Sequence, residues 1–408
     1  MAVSDTVQMQ GHLLDDGMLA RTLDEILGTG ADYVIERFDV GKHPEDESFV
    51  RITVSAEDEE SLGHLLGRLQ AFGANLTTPG ELSLVAAEMD GVFPEDFYSS
   101  TNLETEVFLE GRWVRVPNPE MDCGLVVSGG VARTVPMISI RAGDLVVCGA
   151  NGVRVVLPPR EAKDESTFEF MNSVVSSEKP QALQVRQIAD DLRAVKAAGK
   201  RILWVGGPAI VHTGAAPAMA ALVRAGFVDV LFAGNALATH DIESSMFGTS
   251  LGIDLSHGSG VEHGHEHHIR AINRIRRCGS IAGAVEAGVL TGGLMHALVE
   301  AGKPFVLVGS VRDDGPLPDV HTDVIEGQQA MRESLEDVGY AIMVASMLHA
   351  IATGNILPAS IPLVCVDINP ATVTKLSDRG SAQAVGVVTD IGLFMEQLAV
   401  ELVDGYRS

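Results

Sequence analysis

The length and the charge of the chain limit the classes of protein to which it can belong. It has 408 residues, of which 46% are hydrophobic and 21% charged, and its formal net charge at pH 7 is -26 with a pI near 4.8. This length exceeds what one hydrophobic core usually serves, so we expect two or three domains. Partners such as nucleic acid and anionic membranes are bound by clustered Lys and Arg, and so acidic a chain argues against both.

The cysteines and the N-terminus indicate a cytoplasmic protein. Cys123, Cys148, Cys278 and Cys365 show no CxxC spacing and lie in apolar contexts, which favours reduced core thiols over disulfides or zinc ligands. The N-terminus MAVSDTVQMQ lacks a basic region followed by an apolar one, and no run of about 18 apolar residues is free of charge and proline. Neither secretion nor membrane spanning is predicted.

Two small regions are predicted before the largest one. Residues 1–90 are predicted to form a small α+β domain, in which ADYVIERFDV and SFVRITVSA are strands and EDEESLGHLLGRLQAFGA is a helix with leucines at i, i+3, i+4 and i+7. Residues 91–160 are predicted to form a β-rich module, because TEVFLEG, RWVRV, CGLVVSG, DLVVCG and GVRVVL are short β-like segments separated by Gly and Pro. The acidic stretch EAKDESTFEFMNSVVSSEKP is interpreted as a connecting segment.

Residues 180–408 are predicted to form a Rossmann-like domain, a doubly wound parallel sheet with helices on both faces. After the helix PQALQVRQIADDLRAVKAAGK come six short apolar runs, RILWVG, VDVLFAG, PFVLVGS, YAIMVAS, PLVCVDI and AVGVVTD. Their apolar character on both alternating positions is typical of parallel strands covered on both faces. Between them, AAPAMAALVRAG stops at Gly226, and NPATVTKLSDRG starts with Asn369 as N-cap and Pro370 at the first helical position.

Polar residues follow each of the six runs, where parallel strands bring their carboxyl ends to one edge. They are Gly206, Gly207, His212, Thr213 and Gly214 after the first run, Asn235 after the second, Arg312, Asp313 and Asp314 after the third, Ser346 and His349 after the fourth, Asp367 and Asn369 after the fifth, and Asp390 after the sixth. A carboxylate there can bind a ribose diol, and Asp367 is the preferred candidate; alternatively, Asp367 and Asp390 only cap the following helices. The usual GxGxxG fingerprint is missing.

The tract HGSGVEHGHEHHIR is rich in histidine. His257, His263, His265, His267 and His268 are accompanied by two glutamates, which suggests zinc. No third and fourth ligand stand at fixed spacing, so a solvated loop is the favoured interpretation and no metal site is predicted.

Long segments of the chain resemble the archaeal-type ornithine cyclodeaminase family, also known as lysine-oxoglutarate reductase/saccharopine dehydrogenase-like proteins. They are GPAIVHTG, DVLFAGNALATHDIESSMFGTSLG, GHEHHIRAIN, RCGSIAGAVEAG, GSVRDDGPLPD, SMLHAIATGNILP, VCVDINPATVTKLSDRGS and GVVTDIGLF, with ERFDVGKHPEDESFVRITV, DGVFPEDFYSSTN and MDCGLVVSG further upstream. The resemblance covers nearly the whole chain. It implies an NAD-binding Rossmann-like domain and conversion of ornithine to proline with loss of ammonia, by hydride transfer to NAD and back with no net redox change.

The resemblance also implies site residues. The expected NAD contacts are Asn235, Ala236, Asp313, Ser346, Met347, Leu348, His349, Asp367, Asp390 and Ile391. For the substrate, Arg312, Lys375 and Arg379 are the available cations for the α-carboxylate, with Arg preferred for a bidentate grip. Asp313, Asp314 and Asp319 are candidates for holding the δ-ammonium and for the catalytic base, and His240 and His349 are alternative proton carriers. Ornithine, lysine and diaminobutyrate remain open as substrates.

Two other functions remain open. The chain is alternatively an NAD(P)-dependent dehydrogenase of the saccharopine or opine type with net redox turnover, or a regulatory protein whose N-terminal unit senses an amino acid. A homo-oligomer is the default expectation.

Overall fold

A computed structural model gives the structure of the protein, and it describes residues 3–14, 17–43, 46–70, 72–78, 80–157, 181–250, 253–254, 267–313, 315–372, 375 and 384–407. The chain divides into two compact units. The first comprises Met1–Phe168 and Asn355–Ser360, and the second comprises Glu169–Gly354 and Ile361–Ser408.

The first unit begins with a four-stranded antiparallel sheet and two helices. The strands are β1 (Val3–Gly11), β2 (Asp32–Asp39), β3 (Ser48–Ala56) and β4 (Asn75–Leu76), and the helices are α1 (Met18–Gly28) and α2 (Glu59–Gln70). The sheet order is β2-β3-β1-β4. Every second residue of β3 is buried, so one face of the sheet packs on the helices. The two predicted strands and the leucine-rich helix are confirmed.

Seven further strands of the first unit form two small sheets. They are β5 (Ser83–Ala86), β6 (Glu104–Leu109), β7 (Arg112–Arg115), β8 (Gly124–Ser128), β9 (Val131–Val135), β10 (Leu145–Cys148) and β11 (Val153–Val156), with a 3₁₀ turn at Met137–Ser139. The orders are β5-β10-β8-β9 and β11-β6-β7. All five predicted segments are strands, and β5 and β9 are additions to the prediction.

The second unit alternates strands and helices. Its elements are α3 (Gln181–Ala197), β12 (Arg201–Gly206), α4 (Ala209–His212), α5 (Ala216–Arg224), β13 (Val230–Gly234), α6 (Asn235–Phe247), β14 (Thr249–Ser250), β15 (Ile253–Asp254), α7 (His267–Cys278), α8 (Ile281–Glu286), α9 (Gly293–Glu300), β16 (Phe305–Val308), β17 (Val320–His321), α10 (Val324–Glu333), β18 (Val338–Val344), α11 (Met347–Ile356), β19 (Leu363–Asp367), β20 (Ala384–Val388) and α12 (Ile391–Leu402).

Seven of these strands form one parallel sheet in the order β17-β16-β13-β12-β18-β19-β20. The six predicted runs are all present, and apart from the short edge strand β17 they follow the order 3-2-1-4-5-6 of a Rossmann sheet. The central strand β12 is covered on both faces, and Trp204 within it has no exposed surface. The predicted fold class, a Rossmann-like sheet after a small α+β region and a β-rich region, is confirmed.

The predicted helix signals hold where the structure describes them. Gly226 follows α5 with a φ of 79°, and the side chain of Asn369 accepts a hydrogen bond from the N–H of Ala371 at 3.0 Å. The acidic segment interpreted as a connection and the last five residues of NPATVTKLSDRG lie outside the described residues.

Candidate active site

The carboxyl edge of the sheet reverses its winding between the adjacent strands β12 and β18. The N–H of Gly207 donates to the carbonyl of Val344 at 2.9 Å, and the N–H of Ala345 donates to the carbonyl of Val366 at 3.0 Å. The first bond ties the loop after β12 to the end of β18, and the second ties the loop after β18 to β19. Ligands of doubly wound folds bind in the crevice at such a reversal, so the geometry places the candidate site here.

Helix α6 begins immediately after β13, and its N-terminus belongs to this edge. Gly234 is the N-cap and offers no side chain to the first helical N–H groups. Asn235 is buried, and its Oδ1 accepts from the N–H of Leu317 at 3.0 Å and from Thr239 Oγ1 at 3.3 Å. Asn235 therefore ties the long loop after β16 to the start of α6, while Ala236 beside it is partly exposed.

Asp313 and His349, both predicted to contact the cofactor, lie close together. The carboxylate of Asp313 accepts from the backbone N–H of Ser310 at 2.8 Å and so closes its own loop. His349 approaches Gly234, where an added Cβ would lie 3.1 Å from the ring carbon Cε1. Burial lowers the pKa of His349, and this outweighs the hydrogen bond to the carbonyl of Val308 and the charge of Asp313, which raise the pKa. His349 is thus suited to act as a neutral imidazole near neutral pH.

The acids after β19 and β20 each accept a backbone hydrogen bond. Asp367 Oδ1 accepts from the N–H of Asn369 at 2.8 Å, and Asp390 Oδ1 accepts from the N–H of Leu393 at 2.9 Å as the N-cap of α12. Ile391, the first residue of α12, is 3% exposed. Asp390 therefore caps α12, and in both acids each of these bonds occupies a single oxygen of the carboxylate.

The residues predicted for substrate chemistry are less concentrated. Asp319 Oδ2 accepts from the N–H of Ile281 at 2.8 Å, which ties it to the start of α8; burial raises the pKa of Asp319 against the opposing effect of its backbone hydrogen bonds. Arg312 and Lys375 are exposed. Asp314 and Arg379 lie outside the described residues.

Exposed apolar side chains lie at this edge, and two of them, Ile368 and Val311, were not predicted. Leu348 was predicted as a contact and is 72% exposed, while Ile368 directly after Asp367 is 67% exposed and Val311 after β16 is fully exposed. Ser346 is partly buried and Met347 is exposed. Single exposed apolar residues are ordinary, but Leu348 at the start of α11 and Ile368 after β19 follow adjacent strands and offer an apolar surface to a planar ring.

A buried polar cluster at the ends of β12 and β13 also escaped prediction in part. His240 Nδ1 lies 3.0 Å from Glu243 Oε2, and the Glu243 side chain has no exposed surface. The rings of His212 and His240 have centroids 5.0 Å apart. His240 was weighed as a proton carrier, with a hydrogen-bonded structural role favoured over it, whereas Glu243 was not predicted, since an acid in a helix usually faces water.

The histidine-rich tract is only partly described. Residues 255–266 lie outside the described residues; His267 Nδ1 lies 2.8 Å from Thr249 Oγ1, and His267 stacks on Phe247. Within the described part of the chain, His, Cys, Asp and Glu side chains do not gather into a cluster that could hold a metal ion. Among the same residues no helix has the length and apolarity to cross a bilayer.

This sheet and its carboxyl edge define a Rossmann-fold nucleotide-binding protein. Models of known protein families match three consecutive parts of the chain. Residues 186–398 match "Arginine dihydrolase ArgZ-like, C-terminal, Rossmann fold", residues 104–185 match the first region of the same C-terminal part, and residues 4–103 match the "LOR/SDH bifunctional enzyme conserved region".

The chain belongs to the archaeal-type ornithine cyclodeaminase family, as its resemblance implied. A protein of Methanothermobacter thermautotrophicus named ornithine cyclodeaminase is 53% identical over 398 residues, which cover 97% of each chain. The apo structure of ArgZ, a cyanobacterial arginine dihydrolase, matches with a TM-score of 0.85 at 36% identity over 98% of this chain and 58% of ArgZ. The complex of AgrE with ornithine and NAD+ matches with a TM-score of 0.54 at 40% identity over 98% of this chain and 57% of AgrE.

Proposed function

We propose that the protein is an NAD-dependent ornithine cyclodeaminase, an ammonia-lyase that converts L-ornithine to L-proline and ammonia. The observation that carries the proposal is the 53% identity to a protein of that name over 97% of both chains. The carboxyl edge supports it, because the nucleotide site expected of a Rossmann sheet and the candidate proton-transfer groups lie on neighbouring strand ends.

The residues at the switch point fit NAD. Gly207 lets the loop after β12 approach Ala345 closely, the N-terminus of α6 has no side-chain cap, and Asp367 has a second oxygen for a ribose hydroxyl. The exposed apolar side chains after the strands, Leu348 and Ile368, suit an adenine ring. When bound, NAD supplies the hydride acceptor and donor for the substrate α-carbon.

The substrate would bind beside the loops after β16 and β18. Arg312 is exposed there and suits the α-carboxylate, with Lys375 as the other described cation among the candidates. Asp313, Asp314 and Asp319 are the proposed partners of the δ-ammonium, and burial raises the pKa of Asp319 above its ordinary value. Asn235, Ala236, Ser346, Met347, His349, Asp390 and Ile391 complete the proposed cofactor contacts.

The proposal includes a cytoplasmic homo-oligomer that acts in proline formation and in arginine and ornithine metabolism. The four cysteines support a reducing compartment, since all four are free thiols and three of them are buried. Size-exclusion chromatography with light scattering measures the oligomeric state, and a monomer at working concentration contradicts that part of the proposal.

The test is turnover of L-ornithine by the purified protein with catalytic NAD. We expect proline and ammonia in equal amounts, without accumulation of NADH in the ultraviolet spectrum, and the dinucleotide in the mass spectrum of the native protein. Stoichiometric NADH would instead indicate the dehydrogenase. Tight NAD binding without turnover of ornithine, lysine or diaminobutyrate would indicate a regulatory protein.

A further inference from the structure

Glu243 on α6 is a carboxylate without any exposed surface, and none of the roles assigned above uses it. Its Oε1 accepts from Thr249 Oγ1 at 2.9 Å, and its Oε2 lies 3.0 Å from His240 Nδ1. Removing an ionisable group from water is costly, and apolar side chains of similar volume often stabilise a core as well or better. A buried pair of this kind is therefore poorly explained by stability alone.

The pair fixes the tautomer of His240. When Glu243 is ionised, its carboxylate can only accept hydrogen bonds, and Nδ1 of the imidazole is then the donor. In neutral His240 the lone pair then lies on Nε2, which becomes the atom that accepts and returns a proton. His240 is 8% exposed, so the ring is held firmly but is not sealed from a ligand.

A second imidazole approaches His240 from the neighbouring strand end. His212 belongs to α4 after β12, its ring centroid lies 5.0 Å from that of His240, and its Nδ1 lies 2.7 Å from Ser250 Oγ. Partial burial and the His240 imidazole lower the pKa of His212, while Glu243 raises it. His212 is exposed, so it connects the buried pair to solvent as a neutral ring near neutral pH.

Among the described residues, titratable groups from three helices face this pair. Glu243 lies on the same helix as His240, His212 comes from α4, and His267 from α7 reaches Glu243 through the hydroxyl of Thr249, which lies 2.8 Å from His267 Nδ1. The two imidazoles and the buried carboxylate thus converge between α4 and α6, the helices that follow β12 and β13.

We propose that His240 carries the proton that the substrate must release and regain during deamination, and that Glu243 is the residue that positions it; this rests on the proposed function. An N–H bond of the substrate δ-ammonium breaks and an N–H bond forms at His240 Nε2. The uncharged δ-amine that remains can attack the substrate α-carbon. The same proton then passes from Nε2 to the departing ammonia, so ammonium leaves and no proton is gained or lost.

The decisive measurement is the pH dependence of proline formation by NAD-loaded wild type, Glu243→Gln, His240→Gln and the double variant. We expect His240→Gln to lower kcat by roughly 10²–10⁴-fold and Glu243→Gln by roughly tenfold or more, with KM for ornithine and Kd for NAD within threefold of wild type. The pH profile of kcat in Glu243→Gln should differ in shape from that of the wild type, because a neutral amide replaces the carboxylate partner of His240 Nδ1. The fold losses of kcat in the two single variants should not multiply in the double variant, since both residues serve one step.

A matched control lies on α9, where His296 Nδ1 is 3.3 Å from Glu300 Oε2 in a more exposed histidine–glutamate pair. Glu300→Gln should leave kcat and its pH profile unchanged. Wild-type kcat retained within threefold by a folded, NAD-binding Glu243→Gln or His240→Gln protein would overturn the inference; should Glu243→Gln fail to fold, His240→Gln decides. A wild type inactive on ornithine would instead overturn the proposed function itself.

Discussion

Gly207 and Ala345 approach each other so closely that no larger residue fits at position 207. A Cβ added to Gly207 would lie 1.7 Å from the carbonyl oxygen of Ala345, far inside contact distance. We expect Gly207→Ala to separate the loops after β12 and β18, to lower the melting temperature and to weaken NAD binding by tenfold or more. Overpacking of this kind costs about 1–3 kcal/mol or more. Thermal unfolding and a fluorescence titration with NAD measure the two effects.

Gly63 provides the control for that substitution. It lies inside α2, and an added Cβ would meet no atom within 4 Å. Gly63→Ala should leave NAD affinity unchanged and stabilise the protein by up to about 1 kcal/mol, since alanine favours a helix over glycine. Equal NAD affinity in Gly207→Ala and Gly63→Ala would show that the switch point is not the nucleotide site.

Asp367 is expected to bind the cofactor as well as its own loop. Asp367→Asn keeps an acceptor for the N–H of Asn369 but loses the charge that a ribose diol would meet, so NAD affinity should fall roughly tenfold with little change in melting temperature. Asp323→Asn is the matched control, because Asp323 also follows a strand and accepts backbone hydrogen bonds, from Ile325 and Glu326. An Asp367→Asn protein that binds NAD like Asp323→Asn would assign Asp367 to capping alone.

Asp229 is expected to contribute stability that is lost in acid. Burial by itself raises the pKa of Asp229, but hydrogen bonds from Lys303 and from the N–H of Ile202, with the charges of Lys303 and Lys196, lower it overall. A lowered pKa in the folded state means that this contribution is present above the unfolded value of 3.8 and disappears as pH falls further below it. Asp229→Asn should cost about 2 kcal/mol at pH 7 and flatten the acid limb of the stability profile.

The control for Asp229 is the exposed pair of Lys200 and Asp337, whose side chains are 50% and 63% exposed. Asp337→Asn should change the melting temperature little, because solvent screens exposed ion pairs. Buried Trp204, whose Nε1 donates to the carbonyl of Phe227 at 2.9 Å, provides a fluorescence signal for this region. Equal losses of stability in Asp229→Asn and Asp337→Asn would show that burial does not strengthen the interactions of Asp229.

Asp241 is expected to contribute pH dependence of the opposite sign. It is 1% exposed and accepts from the N–H groups of Leu294 and Met295 at 2.8 Å each, at the start of α9. Burial raises its pKa to about 6, against the lowering effect of those two bonds. Its raised pKa therefore adds stability below the unfolded value of 3.8, and this stability is lost as pH rises through about 6.

Asp241→Asn should remove this dependence. The rise of the Asp241 pKa from 3.8 to about 6 corresponds to about 3 kcal/mol of stability that the wild type loses as pH rises between these two values. The variant will be less stable throughout, because an amide cannot accept both N–H groups, but its urea midpoint should change less than the wild-type midpoint between pH 4 and pH 7. Parallel profiles for the two proteins would show that Asp241 keeps an ordinary carboxyl titration.

The sequence predicted the sheet of the second unit because its six strands are covered on both faces, which leaves continuous apolar runs. It did not predict β17, since a strand of two residues has no periodicity, nor α1, whose N-cap Gly17 offers no side-chain signal. The division of the N-terminal half at residue 90 stays a prediction.

The candidate site was predictable where a strand places a residue, as with Asp367 and Asp390. It was not predictable for Glu243, because α6 is buried on most sides and holds Asn235, Thr239, His240, Asp241 and Glu243 among its buried residues. Such a helix shows no apolar stripe that would separate an inner from an outer face. Only the fold reveals that its polar side chains meet one another.

The position of β12 has a consequence for synthesis of the chain. Its Leu203 pairs with Val230 on one side, but its Arg201 pairs with Val338 on the other. While the ribosome is still extending the polypeptide beyond β16, one side of β12 exposes apolar residues and unpaired backbone groups. Until β18 emerges, the nascent chain must be protected from self-association, and a truncated product ending before β18 would be a natural client for chaperones.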